Sequence, residues 1–257
     1  MKKAVFFDID GTLWDFKMNI PESTKKALKE LRKNGYYAFL CSGRSRSNIK
    51  SPKLLALGFD GIVAACGTHI EFEGEKLFEL LLTKAQIEHI LTVLRKHQIP
   101  MVLEGPNYIY VDEKDDPYVI YLRNELGENL KSITGTAQYE VNKLSAELGN
   151  ADVELVRKEL GTEFDMIVHE PDGILEIGQA GHSKASGIER LCASLGIAKE
   201  DTYAFGDSAN DVEMLEFVAH GIAMGNGTDV AKNAAEFVTT DIHKDGIWNG
   251  LKHYGLI

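Results

Sequence analysis

Two pairs of acidic residues mark the places in this 257-residue chain where chemistry could occur. Asp8 and Asp10 directly follow the apolar run 4–7, and Asp207 and Asp211 follow a second short apolar run near the other end of the chain. A buried strand has no structural need for two acids at its end. Because alternate residues of an extended chain point the same way, Asp8 and Asp10 could act on one substrate. Four carboxylates in two such places predict a metal site.

The elements around these acids alternate between strand and helix, and this rhythm favours a parallel sheet with helices on both faces. Ligands of such sheets bind beyond the carboxyl ends of the strands. Asp8, Ser42 and Asp207 each come just after a predicted strand, so one pocket could gather all three. The predicted strands are 4–7, 36–41, 61–66, 202–205, 220–224 and 236–239, and the predicted helices are 21–34, 45–57, 183–195 and a segment through Met214, Leu215 and Val218.

The middle of the chain has a different pattern, in which amphipathic helices are followed by hairpins. Two such units predict an α+β insertion of 97 residues at 84–180, within an α/β core formed by residues 1–83 and 181–257. The predicted elements are helices 84–97, 117–126 and 152–160, hairpins 101–104/108–112 and 164–169/174–177, and a possible strand within 139–148.

Composition narrows the possible partners. The net charge of −11 argues against nucleic acid and anionic membranes, but not against a small anionic substrate, since a local metal or lysine can override the global sign. Cys41, Cys66 and Cys192 are odd in number and form no CxxC pair, which predicts reduced thiols in a cytoplasmic protein. We find no signal peptide, and no apolar run approaches the roughly 20 residues that span a bilayer.

Four segments together resemble the signature motifs of the haloacid dehalogenase (HAD) superfamily. The run DIDGT at 8–12 matches the first motif, Ser42 the second, Lys184 the third, and GDSAND at 206–211 the fourth. Their order and spacing fit over the whole chain. The strongest resemblance is to the Cof-type phosphatases with a type IIB cap. It implies a Rossmann-like catalytic core and a mobile α/β lid.

The resemblance implies covalent catalysis by the first motif. Asp8 would attack phosphorus and form an aspartyl-phosphate, although a turn aspartate is the simpler interpretation of the residue alone. Asp10 would protonate the departing oxygen and then take a proton from the hydrolytic water, unless it is only a second carboxylate near the metal. ATP-driven pumps of the superfamily have Thr at this position, so Asp10 favours a phosphatase or a phosphomutase.

The resemblance also implies a magnesium site. The carboxylates of Asp8 and Asp207 and the backbone carbonyl of Asp10 would hold Mg²⁺, with Asp211 acting directly or through water. Oxygen ligands without a nearby His or Cys suit Mg²⁺ rather than zinc. Asp211 could instead be an acid in the first turn of the next helix.

The remaining motif residues would bind the phosphoryl group. The resemblance implies that Ser42 and the Gly43 N–H donate to its oxygens, that Lys184 neutralises its charge, and that Asn210 adds a donor. Taken alone, Ser42 would be a helix cap and Lys184 a solvated lysine. Arg44 lies next to these residues in the sequence and is either structural or directed towards the substrate.

Spacing locates the lid. Ser42 lies 34 positions after Asp8, an interval that holds one helix and one strand and leaves no room for a helical cap. Lys184 lies 140 positions after Arg44, and that interval holds the third strand and the whole insertion, which is the placement of a type II cap. Such a lid would exclude water and select the leaving group.

Two positions depart from the usual Cof-type pattern. Cys66-Gly67-Thr68 stands where Asn-Gly-Ala is common after the third strand, which makes substrate contacts there doubtful and favours a buried thiol. His182 precedes the third motif, and we interpret it as a surface or supporting residue rather than an acid catalyst.

These observations predict a cytoplasmic, Mg²⁺-dependent phosphatase of small phosphorylated metabolites such as sugar phosphates, phosphorylated cofactors or nucleotides. A phosphomutase on the same scaffold and a non-catalytic binding module for phosphorylated metabolites are the alternatives. The sequence leaves the natural substrate open, because the lid selects it, and also leaves open whether the protein is a monomer or a homodimer.

Overall fold

The computed structural model describes residues 2–111, 129–133, 138–169 and 173–257. The chain divides into two compact units. The first comprises Met1–Gly43, Ser51–Glu79 and Ser183–Ile257, and the second comprises Arg44–Lys50 and Leu80–His182. The predicted helix 117–126 lies outside the described residues.

The described strands and helices, in chain order, are as follows. The strands are β1 (Ala4–Phe7), β2 (Tyr37–Cys41), β3 (Gly61–Ala64), β4 (His69–Phe72), β5 (Glu75–Glu79), β6 (Met101–Glu104), β7 (Ile109–Val111), β8 (Leu130–Ser132), β9 (Lys143–Glu147), β10 (Phe164–His169), β11 (Ile174–Gln179), β12 (Thr202–Gly206), β13 (His220–Ala223) and β14 (Phe237–Val238). The α-helices are α1 (Glu22–Lys33), α2 (Pro52–Leu55), α3 (Lys84–Lys96), α4 (Val153–Leu160), α5 (Lys184–Leu195), α6 (Val212–Phe217), α7 (Asp229–Ala234) and α8 (Gly246–His253).

The first unit is built on an eight-stranded sheet in the order β14-β13-β12-β1-β2-β3-β4-β5. Neighbouring strands from β14 to β3 are parallel, and β3, β4 and β5 are joined in antiparallel pairs. The chain moves outward from β1 through β2 and β3 in one direction, and outward from β12 through β13 and β14 in the other. The strand order therefore reverses between β1 and β12, which is where open α/β sheets bind their ligands.

Burial explains the central strand. All four residues of β1 are buried, as a parallel strand covered by helices on both faces requires. Successive side chains point to opposite faces, so Phe6 stacks on Phe39 of β2 while Phe7 stacks on Phe205 of β12, with ring centroids 5.1 and 5.2 Å apart. These contacts tie β1 to both neighbours and fix the position of the acids that follow it.

The predicted helix 45–57 is wrong in part. The structure has a 3₁₀ turn at Arg46–Asn48 and only one short helix, α2, after it. Pro52 at the start of α2 has no N–H to donate, and the residue before a proline is pushed towards extended backbone, as Ser51 is here (φ −56°, ψ 118°). The proline therefore separates the two turns.

The third strand is also shorter than predicted. It ends at Ala64, and the backbone then adopts left-handed angles at Ala65, Cys66 and Gly67 (φ 48°, 51° and 84°). A left-handed residue cannot continue a strand. The hairpin β4–β5, which follows, was not predicted.

The second unit has a six-stranded sheet in the order β10-β11-β9-β6-β7-β8, antiparallel except between β7 and β8. Both predicted hairpins are present. The possible strand within 139–148 is the shorter β9. Helices α3 and α4 pack on the sheet through a shared apolar core that includes Ile90, Leu94, Val156, Leu144 and Leu175. Among the described residues of the whole chain, no helix is long and apolar enough to cross a membrane.

Candidate active site

Three carboxylates converge at the carboxyl ends of β1 and β12. One oxygen from each of Asp8, Asp207 and Asp211 lies within 4.8 Å of the others. Their exposed fractions are 5%, 9% and 0%, so the cluster is withdrawn from solvent. Residues separated by about 200 positions in sequence thus form one acidic site.

Strand register brings the two ends of the chain together. In the parallel pair, Phe7 is opposite Phe205, and the Asp8 N–H donates to the Phe205 carbonyl at 3.0 Å. Asp8 therefore leaves the sheet beside the strand that delivers Asp207. Gly11 has a φ of 80°, and a Cβ built on it would lie 2.3 Å from Asp207 Oδ2, so only glycine lets the first loop close against that carboxylate.

Lys184 lies at the centre of the charge arrangement. It is 1% exposed and begins α5, directly after the N-cap residue Ser183. Its Nζ donates to Asp8 Oδ1 and Asp211 Oδ1, both at 2.6 Å, and contacts Asn210 Oδ1 at 3.2 Å. All three ammonium hydrogens therefore have acceptors within this site.

The two carboxylate oxygens of Asp211 make different interactions. Oδ2 accepts hydrogen bonds from the backbone N–H groups of Asp207 and Ser208, at 2.9 and 3.0 Å, while Oδ1 pairs with Lys184. The side chain thus fixes the loop that carries Asp207. It is more than an acid at the start of a helix, because it is fully buried and bonded to the neighbouring site residues.

The site carries more negative charge than one lysine offsets. Burial raises the pKa of Asp8 well above its usual range, and Asp211 and Asp207 add to this effect although Lys184 opposes it. Burial and Asp211 raise the pKa of Asp207 to about 7. Burial alone would lower the pKa of Lys184, but Asp211 and Asp8 raise it well above the usual value, so the ammonium stays charged.

The donor set fits a hard divalent cation. Its members are carboxylate oxygens, which Mg²⁺ prefers, and two ligands of an octahedral Mg²⁺ are at most about 4.2 Å apart. The three carboxylate oxygens, which lie within 4.8 Å of one another, are therefore spaced close to what one such ion needs. Thr12 Oγ1 donates to Asp207 Oδ1 at 2.9 Å, which leaves Oδ2 to coordinate. A bound cation would also favour the ionised carboxylates against the burial that raises their pKa values.

Asp10 stands apart from the three converging carboxylates. It is exposed, and the indole N–H of Trp14 donates to its Oδ1 at 2.8 Å. Trp14 is 3% exposed, and sequence reasoning did not single it out. The signal was available, because a buried tryptophan needs a partner for its N–H and Asp10 lies only four residues away.

Ser42 and Gly43 lie at the same edge of the sheet as Asp8. Phe7 is opposite Leu40 in the parallel β1–β2 pair, so the segments that follow these two strands leave the sheet at the same edge. Ser42 is 2% exposed; its N–H donates to the Val63 carbonyl at 2.9 Å, which anchors the loop on β3.

Asn210 is positioned by its oxygen. Asn210 Oδ1 accepts from Lys184 Nζ at 3.2 Å and from Ser208 Oγ at 2.9 Å. The side-chain amide therefore directs its NH₂ donors away from Lys184, which leaves them able to meet another acceptor.

The structure places Arg44, His182 and Cys66, whose roles the sequence left open, in different parts of the protein. Arg44 belongs to the second unit, where its guanidinium donates to Asn48 Oδ1 at 3.2 Å. His182 is also in the second unit and is half-buried. Cys66 is half-buried, and its N–H donates to the Ser42 carbonyl. None of the three cysteines forms a disulfide, and burial raises the pKa of the Cys192 thiol to about 11, as in an unreactive core cysteine.

A parallel α/β sheet with an aspartate–lysine cluster at its switch point is the framework of a HAD-type hydrolase. The chain belongs to the haloacid dehalogenase-like hydrolase family, whose model matches residues 5–251. The resemblance seen in the motifs is thereby confirmed, together with the α/β fold class.

Relatives and solved structures agree with this membership. The chain is 34% identical to YkrA of Bacillus subtilis, a protein named only provisionally as a phosphatase, over 99% of this chain and 98% of that protein. It is 27% identical to YitU of the same organism, a 5-amino-6-(5-phospho-D-ribitylamino)uracil phosphatase, over 97% and 96% of the two chains. The solved structure of the HAD subclass IIB sugar phosphatase BT4131 superposes with a TM-score of 0.86 at 25% identity and covers 100% of both chains. The protein is a phosphatase that acts on small phosphorylated substrates.

Proposed function

We propose that this protein is a Mg²⁺-dependent phosphatase that hydrolyses small phosphate monoesters through an aspartyl-phosphate on Asp8. The observation that carries the proposal is the convergence of the Asp8, Asp207 and Asp211 carboxylates around Lys184 at the switch point of the sheet. The proposed enzyme works in the cytoplasm, for which its three free cysteines are suited.

Asp8 supplies the nucleophile. Lys184 holds Asp8 Oδ1 at 2.6 Å, so Oδ2 is the oxygen left to attack phosphorus. As the new P–O bond forms, the bond from phosphorus to the ester oxygen breaks, and that oxygen leaves with the electron pair. The Ser42 hydroxyl, the Gly43 N–H and the Asn210 amide donate to the phosphoryl oxygens, and Lys184 neutralises their charge.

Asp10 transfers the protons. The Trp14 indole holds Asp10 Oδ1, so we assign the proton to Oδ2. That proton goes to the leaving oxygen, which would otherwise depart as a poorly stabilised alkoxide. In the second step Asp10 removes a proton from water, the water oxygen attacks phosphorus, and the bond to Asp8 breaks to release inorganic phosphate.

The proposed role of the metal is electrostatic. A divalent cation held by Asp8 and Asp207, with the Asp10 carbonyl and Asp211 as further ligands, would screen the repulsion between the carboxylate and the phosphoryl oxygens. Asp211 orients the backbone of Asp207 through its Oδ2 in addition.

Residues 84–180 form the proposed lid, with residues 1–83 and 181–257 as the proposed catalytic core. The lid would exclude water and select the leaving group. The names of two similar proteins, a ribitylamino-uracil phosphatase and a sugar phosphatase, support a polyhydroxylated leaving group among sugar phosphates, phosphorylated cofactors and nucleotides. We do not expect nucleic acid or membranes as partners of this acidic chain.

The test is hydrolysis of para-nitrophenyl phosphate. We expect release of inorganic phosphate with Mg²⁺, loss of turnover in EDTA, and recovery when Mg²⁺ is added back. Asp8→Asn should lower kcat at least about a thousandfold, because the amide cannot attack phosphorus. Undiminished turnover in EDTA would refute the metal role, and full activity of Asp8→Asn would refute the nucleophile. Migration of phosphate on a sugar phosphate without its release would identify a mutase instead.

A further inference from the structure

A groove in the first unit collects positive charge that the catalytic site does not use. Its volume is about 710 Å³, and it lies between α1, the loop that precedes it, and the segment 53–58. Of its ten described lining residues, four are basic and none is acidic. In a chain with 39 acidic and 28 basic residues, chance would favour the opposite sign. None of the lining residues belongs to the candidate active site.

The basic side chains come from two walls of the groove, one on α1 and one on α2. Lys25, Lys29 and Arg32 occupy positions i, i+4 and i+7 of α1, so they share one face of the helix and span about 10 Å along it. Lys53 at the start of α2 lines the same groove. A row of this length matches a chain of phosphate groups better than a single anion.

Two of these lysines have charge to offer a ligand. Within the described parts of the chain, neither Lys29 Nζ nor Lys53 Nζ makes an ion pair or a hydrogen bond. Lys25 pairs with Glu22 at 2.5 Å, a contact on an exposed surface that a ligand could replace at little cost.

Arg32 is the pre-positioned member of the row. Its guanidinium contacts Asp60 at 3.4 Å and lies against Gly58, where a Cβ would come within 2.5 Å of Nη1. A guanidinium held in this way presents its remaining donors in a fixed direction, as phosphate recognition requires.

Apart from Asn19 and Gly58, the rest of the lining is apolar. Met18, Ile20, Ala56 and Leu57 provide a surface on which the body of a small molecule could pack. A cavity of this size, with apolar walls and a few converging charged groups, has the character of a small-molecule site.

We propose that this groove binds a ligand that carries a polyphosphate chain, as a nucleoside diphosphate does, at a site separate from the catalytic one. The cations on the two walls bind the phosphates, and the apolar residues contact the body of the ligand. This proposal does not depend on the hydrolytic mechanism.

The test is calorimetric titration of the wild-type protein in EDTA with ADP, inorganic tripolyphosphate and adenosine. Metal-free conditions leave three carboxylates around one lysine at the catalytic site, which repels polyanions. We expect saturable binding of ADP and tripolyphosphate that weakens with added salt, and no comparable binding of adenosine. Tighter binding of ADP would assign the apolar wall to the nucleoside, and equal or tighter binding of tripolyphosphate would identify an inorganic polyphosphate as the source.

Charge reversal locates the site. Lys29→Glu and Lys53→Glu should each weaken binding at least about tenfold, because each removes a charge-assisted contact and adds a repulsive one. Lys26→Glu is the matched control: it is an exposed lysine on the same helix, outside the groove, and it changes the net charge by the same amount. Absence of saturable binding, or equal losses in Lys26→Glu and Lys29→Glu, would overturn the proposal. Hydrolysis of para-nitrophenyl phosphate by these variants confirms that each is folded.

Discussion

Each unit of the protein buries a lysine between carboxylates, yet the two clusters differ in the way that their oxygens are arranged. In the first unit, Lys184 pairs with Asp8 and Asp211 at 2.6 Å. In the second, Lys143 pairs with Glu176 at 2.5 Å and lies 3.8 Å from Glu104. All three residues of the second cluster, Glu104, Lys143 and Glu176, are buried.

The second cluster is built on strands. Glu104 of β6 is opposite Lys143 of β9, and Ser145, two residues further along β9, is opposite Glu176 of β11. Each carboxylate therefore has its own partner: Ser145 Oγ donates to Glu104 Oε1 at 2.5 Å, and His169 lies 3.5 Å from Glu176. Sheet register spreads such charges across a face.

The first cluster is built on strand ends and loops. Its three carboxylates have hydrogen-bond partners as well, but one oxygen from each lies within 4.8 Å of the other two. In the described residues this is the one group of three or more acidic, histidine or cysteine side chains close enough to hold a metal ion. The comparison teaches that burial and ion pairing alone do not mark a catalytic site. What distinguishes such a site is the convergence of like charges, because that convergence costs stability unless a cation is bound.

The largest expected effect is that of Lys184→Met on catalysis. Removal of the ammonium leaves Asp8 and the phosphoryl oxygens without their cationic partner, so we expect kcat for para-nitrophenyl phosphate to fall about 10²- to 10³-fold with Mg²⁺. Steady-state kinetics on the folded variant, verified by circular dichroism, measure this loss. A fall of less than tenfold would mean that the first cluster is structural like the second.

Lys143→Met tests whether the second cluster contributes to stability and not to catalysis. Because it leaves two buried carboxylates without their partner, it should lower the free energy of unfolding by about 3–5 kcal/mol, measured by urea denaturation. At a temperature where the variant is folded, kcat for para-nitrophenyl phosphate should change less than about threefold.

The control for that change is Lys158→Met, which removes an exposed lysine of α4 and should leave stability within about 0.5 kcal/mol. Adding Glu176→Gln to Lys143→Met should restore part of the lost stability, since it removes one of the two carboxylate charges that Lys143 offsets. A catalytic loss in Lys143→Met as large as that in Lys184→Met would contradict the distinction between the clusters.

Trp14→Phe gives a smaller and more selective effect. The variant keeps an aromatic ring but loses the N–H that holds Asp10 Oδ1. Positioned proton transfer matters most for a poor leaving group, so kcat for an alkyl phosphate should fall about tenfold while kcat for para-nitrophenyl phosphate falls less.

Trp248→Phe is the matched control, because it alters the other tryptophan of the chain, in α8. It should change neither rate. If Trp14→Phe slowed both substrates equally, the indole would be a packing group and not a residue that positions Asp10.

The cluster of the candidate active site was predictable because its acidic residues lie in short motifs at strand ends. Asp8 and Asp207 could be placed at one edge of a sheet from the βαβ rhythm alone, and their convergence within 4.8 Å follows from the parallel pairing of β1 and β12. The parallel strands were predictable for a different reason: buried parallel strands appear in the sequence as continuous apolar runs.

The second cluster could not be predicted, since no motif links Glu104, Lys143 and Glu176. Their proximity depends on which strands of the second unit are neighbours and in which register, and sequence pattern alone does not fix that pairing. The hairpin β4–β5 was missed for a local reason: Glu73 adopts a left-handed conformation (φ 50°) before Gly74, a turn that Asn-Gly signals more clearly than Glu-Gly does.

The missed hairpin holds a third charge cluster, and it gives the smallest predicted effect. His69 is buried between Glu79, at 3.1 Å from Nδ1, and Glu71, at 2.8 Å from Nε2. Burial lowers the pKa of His69, but the hydrogen bonds to Glu71 and Glu79 outweigh it, so the pKa is raised. In this cluster the imidazolium of His69 lies between the two glutamates, whereas in the candidate active site three carboxylates converge.

The raised pKa fixes the sign of a pH effect. The charged imidazole stabilises the fold below the unfolded-state pKa of about 6.5, and that contribution is lost as the pH rises through the higher folded-state value. The stability difference between wild type and His69→Gln, measured by urea denaturation, should therefore be larger at pH 6 than at pH 9. A difference for His69→Gln that is equal at the two pH values would mean that the histidine is neutral in the fold, and that its two glutamates repel each other as the three aspartates of the candidate active site do.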